Sequence, residues 1–105
     1  KCLHIITPVK DSIDSTLETV KAIMESDIFG SFTYTVYNDF STEENTHRLE
    51  EAAVNGNFRL VNLSDLTDHP SPNYLLVLQT AQKEAIEADA GLLIVESDVI
   101  VKKKH

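Results

Sequence analysis

Apolar residues recur along this chain with two alternating periods. Cys2-Leu3-His4-Ile5-Ile6 is a short, mostly apolar run that meets Thr7-Pro8. Proline has no N–H to continue a central ladder, so the first strand is expected to stop there. Ile13, Leu17, Val20, Ile23 and Met24 then fall at helical spacing behind the N-cap types Asp11 and Ser12. This predicts a helix from residue 13 to about 26. Phe32-Thr33-Tyr34-Thr35-Val36-Tyr37 is β-branched and aromatic throughout, a strand by propensity. Ser41-Thr42-Glu43-Glu44 reads as a capping box. The helix it opens turns Leu49, Ala52 and Ala53 inward and ends near Gly56.

Phe58 to Leu63 supplies a third strand, followed by a polar loop from Ser64 to Ser71. Ser71-Pro72 reads as an N-cap with Pro at the first helical position, and Leu75, Leu78, Ala81, Ala85 and Ala88 form the next apolar face. After Gly91, the continuous run Leu92-Leu93-Ile94-Val95 suits a strand buried on both faces. The order β-α-β-α-β-α-β predicts an α/β, Rossmann-like parallel sheet with flanking helices. Ligands of such sheets bind beyond the carboxyl ends of the strands, where the strand order reverses.

Composition narrows the picture. The chain has 105 residues, enough for one domain, and 42% are hydrophobic, enough for a core. Only three Gly and three Pro occur, which disfavours an all-β fold built on tight turns. Lys1 opens directly onto the first apolar run, which predicts no signal peptide, and no apolar run approaches the length of a bilayer span. The single cysteine, Cys2, excludes an internal disulfide and fits a reducing, cytoplasmic compartment. A net charge of −8, with acids spread along the whole chain, argues against nucleic-acid binding.

Candidate chemistry lies just past the strand ends. Three of the four strands lead into carboxylates: Asp11 after the first, Asp39 after the second, Glu96 and Asp98 after the fourth. No G-x-G-x-x-G or Walker-type loop stands after any strand, so a phosphate would be held by side chains and a metal. Glu96-Ser97-Asp98 is the sharpest feature. Two carboxylates turned toward one point suit a hard cation with oxygen ligands, Mn²⁺ or Mg²⁺. The plainer reading is that Ser97 or Asp98 caps a following helix. For Asp39 the plainer reading is turn chemistry in Asn38-Asp39. Tyr34 and Tyr37 are most simply sheet residues, Cys2 a small hydrophobe, and His4 a packed strand residue. His47 and His69 have no metal-ligand spacing.

Taken together, these residues resemble the N-terminal half of family 2 glycosyltransferases, which have the GT-A fold. Pro8-Val9-Lys10-Asp11 stands at the family's first strand-end turn. Asn38-Asp39-Phe40-Ser41-Thr42-Glu43 stands at its D-D-G-S-T-D-like motif, and Glu96-Ser97-Asp98 at its D-x-D motif. The sequence departs from the pattern at Asn38, Phe40 and Glu96, and the Asn-rich stretch before the fourth strand is only loosely echoed by Asn73 and Gln82. The resemblance implies that residues 1–105 form a single partial domain that binds a nucleotide sugar, such as a uridine diphosphate sugar. It implies that Asp39 recognises the base, that Thr7, Pro8 and Asp11 line the nucleoside pocket, that Glu96 reaches the ribose or the metal, and that Asp98 ligates Mn²⁺ or Mg²⁺. The acceptor, a saccharide or lipid, and the catalytic base would belong to the half beyond the D-x-D, so this stretch is expected to be inactive alone. Membrane association of the intact enzyme, and self-association of this stretch through the edge of its fourth strand, are further expectations. Two alternatives stay open: a sugar-phosphate nucleotidyltransferase, and a non-catalytic receiver-like signalling module.

Overall fold

A computed structural model describes residues 2–26, 30–56 and 58–96. The elements run β1 (Cys2–Val9), α1 (Ile13–Met24), β2 (Phe32–Asn38), α2 (Glu43–Gly56), β3 (Arg59–Asn62), α3 (Tyr74–Glu87) and β4 (Ala90–Ile94), with a 3₁₀ turn at Leu63–Asp65. The four strands form one sheet in the order β3-β2-β1-β4. Every pairing is parallel. The fold is α/β and Rossmann-like, as the alternating periods predict.

The period-2 alternation of the strands divides the core in two. Ile5, Val9, Tyr34 and Val36 face one side, where Ile13, Val20 and Ile23 of α1 and Leu49 of α2 cover them. Ile6 and Tyr37 face the other, under Val77 and Ala81 of α3. β4 serves both sides, with Leu93 and Val95 packed on the first cluster and Leu92 and Ile94 on the second. Its residues are half-buried, with Gly91 exposed, because among the described residues β4 has a partner strand on one side alone.

Four sequence expectations shift. β1 runs through Pro8 to Val9 instead of stopping at Pro8. Successive residues of a strand turn their N–H and C=O to opposite sides. Ile6 C=O faces β4, accepting from Val95 N at 2.9 Å, while Val9 C=O faces β2, accepting from Asp39 N at 2.8 Å. Pro8 therefore directs its missing donor toward β4 and ends the ladder on that side only; pairing with β2 continues to Val9–Asn38. The cap of α2 is Thr42, not Ser41, since Asn45 N donates to Thr42 Oγ1 at 3.3 Å. Helix α3 starts at Tyr74, after Asn73, so Ser71-Pro72 lies outside it. The buried stripe of α3 is Val77, Ala81 and Ala85, while Leu75 is 66% exposed. Four consecutive apolar residues, Leu75 to Leu78, fit more than one face of a helix, and the sheet selects the stripe of smaller side chains.

Candidate functional site

Because all four strands run the same way, their carboxyl ends share one edge, and the strand order reverses there between β1 and β4. Three loops meet at this edge, and the sequence dictates how they are stitched together. Asn38 ends β2 buried, with Nδ2 donating to Thr46 Oγ1 (2.9 Å) and Asn62 Oδ1 (2.8 Å), while its Oδ1 accepts from Ser41 N (3.1 Å). An aspartate there has no N–H for the first two bonds. Asn38 supplies both the donors and the acceptor that this edge uses.

Asp11 and Phe40 both adopt left-handed backbone, at φ 65° and 64°. Such a conformation in a bulky residue costs about 1–3 kcal/mol and persists only where its surroundings impose it. Here the surroundings are cross-loop bonds. Lys10 Nζ donates to Phe40 C=O at 2.8 Å, and Asp11 N donates to Ser41 Oγ at 2.8 Å. Phe40 occupies the motif position that is Gly in the pattern this sequence resembles, and it keeps a backbone suited to Gly.

The carboxylate of Asp11 binds the residues that open α2 and does not cap its own helix. Oδ1 accepts from Thr42 N at 2.7 Å and Asn45 Nδ2 at 3.0 Å, with Lys10 Nζ 3.7 Å from Oδ2. The Asn45 amide first, then the Thr42 N–H and the Lys10 charge, hold its carboxyl below the ordinary value of 3.8. Ser12, at the N-cap of α1, makes no side-chain cap bond.

Asp39 is buried, with 8% of its surface exposed. Its Oδ2 accepts from Ser71 Oγ (3.0 Å) and Asn73 N (2.8 Å), and its Oδ1 from Asn73 Nδ2 (2.9 Å). Asn73 Nδ2 also donates to His69 C=O at 2.9 Å. A carboxylate at the end of β2 thereby anchors the whole approach to α3. Ser71 and Asn73 belong to this site, although local spacing makes the first a helix cap and the second a loose echo of a motif. The signal that points to them is the polar pair Ser71 and Asn73 flanking Pro72, two side chains able to donate to an acid from another loop.

The structure brings Pro8, Asp11, Asp39 and Glu96 to the same edge. Glu96 is exposed and leaves the sheet one residue after the last β4 hydrogen bond, beside Thr7-Pro8. Thr7 is not brought to the surface: it is fully buried, and its hydroxyl bonds Tyr34 Oη at 2.7 Å in the core. Asp98 lies outside the described residues, as does Ser97. Among the described residues no three His, Cys, Asp or Glu side chains gather closely enough to hold a metal ion.

A cleft of about 690 Å³ lies at the opposite, amino edge. His4, Thr33, Arg59 and Glu84 give it a polar wall, and Met24, Phe32 and Tyr34 an apolar one. Its polar groups face one another, with hydrogen bonds at Arg59–Glu84 and His4–Thr33, while His4 Nε2 and Glu84 Oε1 approach without forming one. Arg59 Nη2 lies 2.6 Å from Glu84 Oε2, His4 Nδ1 lies 2.8 Å from Thr33 Oγ1, and His4 Nε2 lies 3.3 Å from Glu84 Oε1. Partial burial pushes the Glu84 carboxyl up, and Arg59 and His4 outweigh it, so its value lies below 4.5. Such closure reads as a structural cluster, and size alone does not make this cleft the site.

Comparison of the chain with protein-family models, with curated proteins and with solved structures gave no match. The site therefore rests on its own geometry. Among the described residues, no helix is long and apolar enough to cross a membrane.

Proposed function

We propose that this chain is the nucleotide-sugar-binding half of a family 2 glycosyltransferase of the GT-A fold. The observation that carries the reading is the strand order β3-β2-β1-β4, which sets Pro8, Asp11, Asp39 and Glu96 around one reversal of strand order. That order also weighs against the receiver-like alternative, whose sheet has β3 beside β1 rather than beside β2. The nucleotidyltransferase alternative wants free basic groups at the first strand end. The base there, Lys10, is engaged by Phe40 C=O and Asp11.

In this reading Asp39 meets the nucleobase, Pro8 and the Asp11 loop border the nucleoside, and Glu96 with Asp98 would hold Mn²⁺ or Mg²⁺. The donor set fits such an ion, which takes one or two carboxylates and completes its shell with phosphate oxygens and water. The cation, when bound, neutralises charge on the nucleoside diphosphate that leaves as an acceptor hydroxyl attacks the sugar. The chain's own residues orient the donor at a rigid edge, where the cross-loop bonds of Asp11 and Asn38 hold the strand ends in place.

Calorimetric titration with a uridine diphosphate sugar, with and without Mn²⁺, tests the reading. Binding should appear with the cation, weaken about tenfold or more in Asp39→Ala, and lose its cation dependence in Asp98→Asn. No binding under either condition refutes it.

A further inference from the structure

We infer that Asn73, assisted by Ser71, is a positioning residue that sets which base edge Asp39 can read; this rests on the nucleotide-binding reading above. A carboxylate offers about four acceptor directions, two on each oxygen. On Asp39, Oδ2 has both taken, by Ser71 Oγ and Asn73 N, and Oδ1 has one taken, by Asn73 Nδ2. One direction on Oδ1 remains. Only 8% of Asp39 stays exposed, so access to its carboxylate is narrow. The carboxylate only accepts, which restricts an approaching group to an N–H or O–H donor. A base edge offering a single N–H, as uracil does at N3, meets both limits; a methylated nitrogen meets neither.

Asn73 is well placed to impose this. It is buried, and its Nδ2 is fixed at its other hydrogen by His69 C=O at 2.9 Å. The amide therefore approaches Asp39 from one fixed direction while its own backbone N–H holds the second oxygen. Loosening the clamp returns acceptor directions to Asp39 and lets the carboxylate turn, so the distinction between bases should fall before binding itself is lost.

The test measures the affinities of uridine diphosphate and its 3-methyl analogue in the presence of Mn²⁺, for the wild type, Asn73→Ala and Ser71→Ala. Circular dichroism confirms that each variant is folded, and Ser71→Ala, which deletes one half-buried hydroxyl, serves if Asn73→Ala does not fold. The wild type should prefer the unmethylated ligand roughly tenfold or more, as expected for one hydrogen bond to a charged group. Asn73→Ala should bring the ratio to within about threefold, with Ser71→Ala between the two. The ratio is the informative quantity, because a merely structural role lowers both affinities alike. An unchanged ratio in the folded variants, or a wild type that binds both ligands equally, overturns the inference and leaves the nucleotide reading standing. A wild type that binds neither ligand overturns that reading, and the inference with it.

Discussion

Replacing Asp39 with alanine deletes the acceptor of three hydrogen bonds at once. The Ser71 hydroxyl is half-buried and can turn to water. Asn73 Nδ2 keeps its bond to His69 C=O. The Asn73 backbone N–H, in a residue only 8% exposed, is left with no acceptor. An orphaned buried donor costs about 1–3 kcal/mol, and a hydrogen bond to a charged group contributes about 1.5–3 kcal/mol. The sum, after the groups that find new partners are discounted, is about 3 kcal/mol. Against a total stability of roughly 5–15 kcal/mol this is a large fraction. It corresponds to a fall in Tm of roughly 10–20 °C for a domain of this size. Urea unfolding followed by circular dichroism measures it directly. The loss should appear without any ligand, since the bonds belong to the folded chain itself. A destabilisation below about 0.5 kcal/mol would show that these bonds contribute nothing net and would refute the account of Asp39 as the anchor of the loop into α3.

Two predictions concern pH. Burial pushes the Tyr34 hydroxyl up to about 12, and burial together with the Glu84 charge does the same for Tyr37. Both folded values lie above the ordinary 10.0, so the stability these phenols contribute is intact below pH 10 and is lost as pH rises toward about 12. Absorbance titration should show two tyrosines silent until that range or until unfolding, and ionisation of all three near pH 10 in folded protein would contradict the burial argument. Asp11 has the opposite sign: its carboxyl lies below 3.8, so its contribution is present above that value and is lost as pH falls through the folded value. Asp11→Asn should lower the neutral plateau and flatten the acid limb of the stability profile below about pH 4, so that the variant and the parent chain converge at low pH; an unaltered acid limb would show that the bonds from Thr42 and Asn45 do not favour the charged form.

The fold was legible because its signal is periodic. Ile5 beside Ile6 and Val36 beside Tyr37 are strand alternations with both faces buried, and Ile13, Val20 and Ile23 keep helical spacing. Parallel pairing follows from those elements and the crossover rules, whereas placing β1 between β2 and β4 rather than between β2 and β3 needs the strand-end residues Pro8 and Asp39 to meet at one crevice. The boundaries were less legible, since they depend on partners far along the chain. Pro8 stays in β1 because β2 needs no donor from it, which no reading of residues 2–8 alone can reveal. The site was legible in its carboxylates and not in their partners. Asp11 and Asp39 were visible as strand-end acids, yet which loop each would bind is decided across 31 to 34 residues of chain. Local spacing therefore set Asp11 before α1 as a cap type, although it binds the start of α2, and made Asn73 only a loose echo of a motif.

The pairing of β1 with β4 has a consequence for how the chain acquires its structure. Ile6 and Ile94 are partners, so one side of β1 waits for a strand that follows three helices later in the chain. A contact of such separation closes a long loop before it returns any stabilisation, which slows folding relative to helical proteins of the same length. During synthesis from the N-terminus, the β1-α1-β2-α2-β3 unit can assemble while the β4 side of β1 stays open. That open side carries Leu3, His4, Ile5 and Ile6, among the most apolar stretches of the chain, and offers another nascent chain the same ladder that β4 later fills. The vulnerable interval thus ends when Leu92 to Ile94 close over β1, not when the first hydrophobic cluster forms.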